Sequence, residues 1–167
     1  MNTLDQITIS ILNKSEISEA HQLVISVFNK FVAQEYSDQG RESFRRFVNE
    51  DFIASLPDRN GFNLVAKKED KIIGIISVRD FNHIALFFID EEYKNKGIGK
   101  KLFYAAKNKI EENNNNSYKI KVHSSLYAES IYSAMGFIKM NDVQEEFGIK
   151  YIPMEYSLKN NRQVKSI

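Results

Sequence analysis

Ile7, Ile9 and Ile11 alternate with polar residues, the two-residue period of a half-buried strand. Ser15 is placed to cap a helix, with Glu16 and Glu19 in its first turn. Ile17, Ala20, Leu23, Val24, Val27, Phe28 and Phe31 then recur at three- and four-residue spacing and form one apolar stripe. A polar stretch, 34–40, separates it from a second amphipathic helix carrying Phe44, Phe47, Val48 and Phe52, which Pro57 and Gly61 bring to an end. Runs 62–67 and 72–78 read as strands joined by a hairpin turn at Lys68, Glu69 and Asp70. Run 83–90 is apolar on both faces, as a central strand is. Gly97 and Gly99 precede a helix with Leu102, Ala105, Ala106 and Ile110 on one face. A strand at 118–122, a short helix at 128–135 and strands at 137–140 and 151–158 follow, with Pro153 marking a bulge or an edge position. Residues 113–116 read as an exposed loop and 160–167 as a frayed end. The order β-α-α-β-β-β-α-β-α-β-β predicts a mixed α/β layer fold.

Composition narrows the classes. The 167 residues suit one domain, and 43% apolar with 27% charged residues is a globular mix. Cys is absent, which removes disulfides, thiolate zinc sites and a thiol nucleophile, and fits a reducing cytoplasm. A net charge of +1 argues against a nucleic-acid binder. The start MNTLDQITIS lacks a basic stretch followed by an apolar run, and no apolar run reaches the ~20 residues of a membrane span. A cytoplasmic protein without nucleic-acid or membrane partners is therefore expected. Three His with no spaced carboxylate pair give no metal site.

Run 83–90 leads through Lys94-Asn95-Lys96-Gly97-Ile98-Gly99-Lys100 into a helix. A helix start carries free N–H groups and a positive dipole end, which attract phosphate. Glycine lets that backbone approach a ligand closely, and three lysines add positive charge. The P-loop pattern is absent, and a dinucleotide fingerprint would need glycine where Leu102 stands. The plainer alternative is a turn that only joins strand to helix. Further on, Ala128, Ile131, Tyr132 and Met135 share one helical face, and Gly136 suits the left-handed position that stops a helix. Taken alone, Tyr132 reads first as a core tyrosine on an apolar face.

Together the two segments resemble the GNAT superfamily of acetyl-CoA-dependent N-acetyltransferases. Lys94-x-x-Gly97-x-Gly99 is similar to its signature Gln/Arg-x-x-Gly-x-Gly/Ala, with a departure at Lys94. Ala128, Tyr132, Gly136 and Phe137 match its Ala-x-x-x-Tyr-x-x-x-Gly-Phe, at the family's order and separation. His123 stands where relatives often have Asn. The resemblance covers roughly 72–137. It implies one domain over 1–158, with a mostly antiparallel sheet of about seven strands flanked by about four helices, and a tail over 159–167. It implies acetyl-CoA as co-substrate, with Lys94, Lys96, Gly97, Ile98, Gly99 and Lys100 around its pyrophosphate and Ser125 nearby. The backbone of Phe87, Phe88 and Ile89 would pair with the pantetheine arm like an added strand. It places the acceptor at the polar segment 34–40, where Glu35, Tyr36 and Asp38 would meet a cationic amine of a small molecule or peptide. A homodimer is open to such a domain.

Acetylation by direct attack sets three demands. An ammonium of pKa ~10.4 must be neutral, which at pH 7 costs ~4–5 kcal/mol. The thioester oxygen needs a donor, and a backbone N–H near Ile89 is a candidate. The departing thiolate needs a proton, and the resemblance and the pKa of a phenol both point to Tyr132. His123 is the candidate base, because an imidazole suits proton transfer at neutral pH. The alternatives are Asp90, Glu91 and Glu92. His83 is expected at the far end of the central strand as a structural residue, and His21 on the exposed side of the first helix. A non-catalytic acyl-CoA-binding regulator is the rival reading, and it would need no Tyr132. A third reading is an interaction protein using the same sheet.

Overall fold

The computed structural model describes residues 6–113 and 118–158, so most of the expected 113–116 loop and the whole 159–167 tail lie outside the described residues. The strands are β1 (Ile7–Ile11), β2 (Phe62–Lys68), β3 (Lys71–Arg79), β4 (His83–Ile89), β5 (Lys119–Ser124), β6 (Ile138–Lys139), β7 (Gln144–Glu146) and β8 (Ile149–Ser157). They form one sheet in the order β1-β2-β3-β4-β5-β8-β6, with β7 also on β8. Every pair is antiparallel except β4 with β5. The helices are α1 (Ile17–Val27), α2 (Asp38–Phe47), α3 (Glu50–Ser55), α4 (Ile98–Glu112) and α5 (Glu129–Ala134).

The described residues thus hold eight strands and five helices, against about seven and four expected. Strand β7 is the addition among strands. The second expected helix divides into α2 and α3, because Asn49 is extended and its side chain accepts the Phe52 N–H at 2.8 Å. The first helix also starts differently. Asn13, not Ser15, caps the entering turn, with its N–H donating to Glu16 at 3.1 Å. At its other end α1 widens into a π-helical turn, Phe28–Val32.

Both sheet faces are covered, as the apolar strands β2 to β4 require. Ile73, Ile76, Leu102, Phe103, Ile120 and Phe137 fill the core beneath α4 and α5. Ala20, Val24, Ile53, Val65, Ile75 and Leu86 fill the core beneath α1 and α3. Pro153 sits in mid-β8, opposite His123 on the β5 side. Its carbonyl accepts the Met140 N–H at 2.8 Å, so its missing donor also faces away from β5. There β8 changes partner from β7 to β6, so the missing N–H falls at the gap between the two.

Gly40 of α2 and Gly148 of the β7–β8 turn meet backbone to backbone. A Cβ at Gly40 would stand 2.1 Å from the Gly148 oxygen. Gly40→Ala is therefore expected to destabilise the fold by about 1–3 kcal/mol, read from the denaturation midpoint. An unchanged midpoint would mean that the two backbones stand apart.

One irregularity shapes the site. Between β3 and β4 the register slips so that Ser77 faces Leu86 and Val78 faces Ile84, which leaves Ala85 as an extra, bulged residue. A bulge bends its strand. Before it, β4 pairs with β5 at His83↔Lys121 and Ile84↔Val122 only. After it, β4 stays with β3 as far as Gly74↔Ile89 but leaves β5.

Candidate active site

The splay of β4 from β5 opens a cavity of about 760 Å³. Phe87, Phe88 and Ile89 of β4 form one wall. The Asp90 N–H donates to Ile73 of β3 at 2.9 Å. By strand alternation the N–H groups of Ile89 and Phe87 then point the other way, into the split. The edge of β4 thus offers unpaired main-chain donors where the resemblance expects an added strand.

The second wall is the start of α4. Gly97 takes the left-handed conformation, φ +80°, and no side chain caps the helix. Lys101 is the first residue whose N–H finds a helical acceptor, Gly97 O at 3.1 Å. The N–H groups of Ile98, Gly99 and Lys100 therefore lack intrahelical partners. Among the described residues a Cβ at Gly97 would meet nothing within 4 Å, whereas one at Gly99 would touch Phe87 at 3.7 Å. Glycine at 97 is required by its φ, and the space before it is open to a ligand. The Ile98 side chain is buried in the core, so only its backbone reaches the cavity. The Lys96 ammonium lies 5.3 Å from the Tyr93 ring and that of Lys100 6.0 Å from Tyr104. Lys94 departs from the expectation. Its ammonium turns from the glycines to donate to Tyr127 Oη at 2.8 Å, beside the Phe31 ring.

Tyr132 of α5 lines the cavity and is 6% exposed. Its ring packs 6.1 Å from Phe87 and 5.2 Å from Phe137. Burial raises its pKa above the usual phenol value, so it is protonated at neutral pH. Gly136 at φ +104° ends the helix, and the Phe137 N–H returns to Tyr132 O at 3.0 Å. Ser125 also lines the cavity, but its Oγ accepts the Ala128 N–H at 3.2 Å and fixes the turn into α5.

His123 reaches the cavity from the end of β5, its ring stacked on Tyr151 at 4.2 Å. His83 stands edge-on to it at 4.7 Å. His83 is the first residue of β4, at the end of that strand away from the glycine turn as expected, and that end also meets His123. The parallel register sets the start of β4 beside β5, and sequence periodicity carries no signal for such pairing. Desolvation, then the charges of Arg79 and His123, push the His83 pKa down to about 3. His123 is exposed at its rim, yet desolvation against its ring neighbours and then Arg79 lower its pKa too. Both rings are neutral at pH 7.

On the acceptor side, Tyr36 is buried and lines the cavity. Burial, then the charge of Glu35, push its phenol up to about 12. Glu35 lies behind the wall. Its Oε2 is buried with no hydrogen-bond partner among the described residues. Burial raises its pKa. Asp38 is apart from the cavity, its side chain 98% exposed and paired with Arg41. Asp90, Glu91 and Glu92 are also outside its walls: Asp90 accepts the Glu92 N–H at 3.0 Å, and Glu91 pairs with Lys30. His21 is half-buried rather than exposed, and donates to the Val48 carbonyl at 3.1 Å. Phe31 and Phe44, read in the sequence only as helix-stripe positions, and Tyr127, not read at all, also line the cavity. Among the described residues no group of three His, Asp or Glu is set to hold a metal ion, and no helix is long and apolar enough to cross a membrane.

Residues 32–158 match the family model of the acetyltransferase (GNAT) domain. No curated protein matches the chain. Among solved structures, a GCN5-related N-acetyltransferase from Rhodopseudomonas palustris is similar at TM-score 0.77 and 15% identity, over 90% of this chain and 95% of that one. The PaiA N-acetyltransferase of Thermoplasma acidophilum, solved with coenzyme A, gives 0.71 at 20% identity over 90% and 98%. A chimera of the spermidine N-acetyltransferase SpeG from Vibrio cholerae gives 0.63 at 20% identity over 91% and 95%. These neighbours share the fold, and the match over most of the chain identifies the family. The chain belongs to the GNAT acetyltransferase family.

Proposed function

We propose that the protein transfers an acetyl group from acetyl-CoA to the nitrogen of a small-molecule or peptide amine by direct attack. One observation carries this reading: a single cavity brings together an uncapped helix start, an unpaired strand edge and a buried tyrosine. The pyrophosphate would lie on the N–H groups of Ile98, Gly99 and Lys100, with Lys96 and Lys100 at the rim. The pantetheine arm would run along β4, and the N–H of Phe87 or Ile89 would donate to the thioester oxygen.

The acceptor would enter past Tyr36. Its neutral nitrogen attacks the thioester carbon, the C–N bond forms and the C–S bond breaks. The departing thiolate takes the proton of Tyr132. The proton lost by the amine goes to His123, which is neutral at pH 7 and able to accept it. Asp38 takes no part in this reading, because it faces solvent. That a structural neighbour is by name a spermidine N-acetyltransferase supports an amine as acceptor.

Acetyl-CoA at a hundredfold excess over Kd is expected to stabilise the fold by ~2.7 kcal/mol, seen as a rise in Tm. A panel of amines with thiol release as readout would then find the acceptor. No heat of binding and no Tm shift at millimolar acetyl-CoA would overturn the assignment.

A further inference from the structure

The reaction above leaves the ammonium of Lys94 unused. By position Lys94 belongs to the anion-binding turn, three residues before Gly97. Its Nζ instead lies 3.1 Å from the centroid of the Phe31 ring and 2.8 Å from Tyr127 Oη. The two rings face each other at 5.5 Å and 27°, and both line the cavity. Lys30 also approaches Phe31, at 5.8 Å, but its ammonium is held by Glu91. An aromatic face attracts a cation, and a phenol oxygen accepts from it. The chain has built a cation site and filled it with its own lysine.

We propose that Phe31 and Tyr127 form a subsite for an organic ammonium group, that Lys94 fills it in the free protein, and that bound CoA opens it by drawing Lys94 to the pyrophosphate. The proposal rests on the acetyl-CoA reading of the cavity. The flexible four-carbon stem of Lys94 serves both positions. Emptying the subsite costs the free protein its Lys94 contacts, and CoA replaces them with a phosphate contact. Affinity for the acceptor's charged form thereby depends on CoA. By linkage, the acceptor strengthens CoA binding by the same factor.

The test is calorimetry with n-butylammonium, which is a lysine side chain without its backbone, and with n-butanol as the uncharged control. Saturating CoA is expected to tighten n-butylammonium binding to the wild type by about 5–150-fold and to leave n-butanol unchanged. Lys94→Gln empties the subsite. It is expected to bind n-butylammonium without CoA as tightly as the CoA-saturated wild type, with no further gain from CoA. In that background Phe31→Leu should erase the preference for ammonium over alcohol. Equal wild-type affinity with and without CoA, while CoA itself binds, would overturn the proposal. If CoA does not bind, the acetyl-CoA reading fails by itself. The subsite is then judged on Lys94→Gln without CoA, where no gain in ammonium affinity over the wild type would overturn it.

Discussion

Tyr132→Phe is expected to lower kcat by about 10²–10⁴-fold, with a smaller change in KM. The substitution removes one oxygen and keeps the ring, so the contacts with Phe87 and Phe137 persist. Fold and acetyl-CoA affinity should therefore survive. What is lost is the proton for the departing thiolate. Burial holds this phenol protonated in the free protein, so the acid is ready before the substrates arrive. Steady-state kinetics with any accepted amine, alongside acetyl-CoA calorimetry, makes the check. A variant equal to wild type in kcat would make Tyr132 a core residue. A regulator that only binds acyl-CoA would show no such drop, having no turnover to lose.

Gly97→Val is expected to weaken acetyl-CoA binding by about 5–30-fold while far-UV circular dichroism stays native. At φ +80° a side chain costs roughly 1–2 kcal/mol, which is about 5–30-fold in affinity if the turn must be held in place to bind. A β-branched residue adds to that strain. Among the described residues a Cβ would meet nothing within 4 Å, so the fold has room for the side chain and the effect falls on the turn. Normal binding by Gly97→Val would reduce the turn to a connector.

What could be read in advance follows from side-chain period. The stripe of α4 and the two-sided burial of β4 are repeats along one segment, and both elements lie where the sequence places them. The glycine turn and the Tyr132 helix are local motifs and were legible for the same reason. The division of α2 from α3 was not, since Phe44, Phe47, Val48 and Phe52 keep their helical spacing across the break. The short strand Gln144–Glu146 is wholly polar and shows no alternation. The meeting of His83 with His123 depends on parallel pairing of distant strands. The approach of Phe31 to Tyr127 depends on the loop after β5 meeting the π-helical turn. Each of these is a relation between segments, which a linear pattern does not encode.

The open edge of β4 and the uncapped start of α4 offer main-chain N–H groups, which every residue except proline carries. A ligand held by them constrains the path of the chain far more than the identity of its residues. Drift at these positions is then cheap, apart from a left-handed site such as Gly97. Proline is the one residue that such a surface excludes outright, and neither of the two in this chain, Pro57 and Pro153, falls on it.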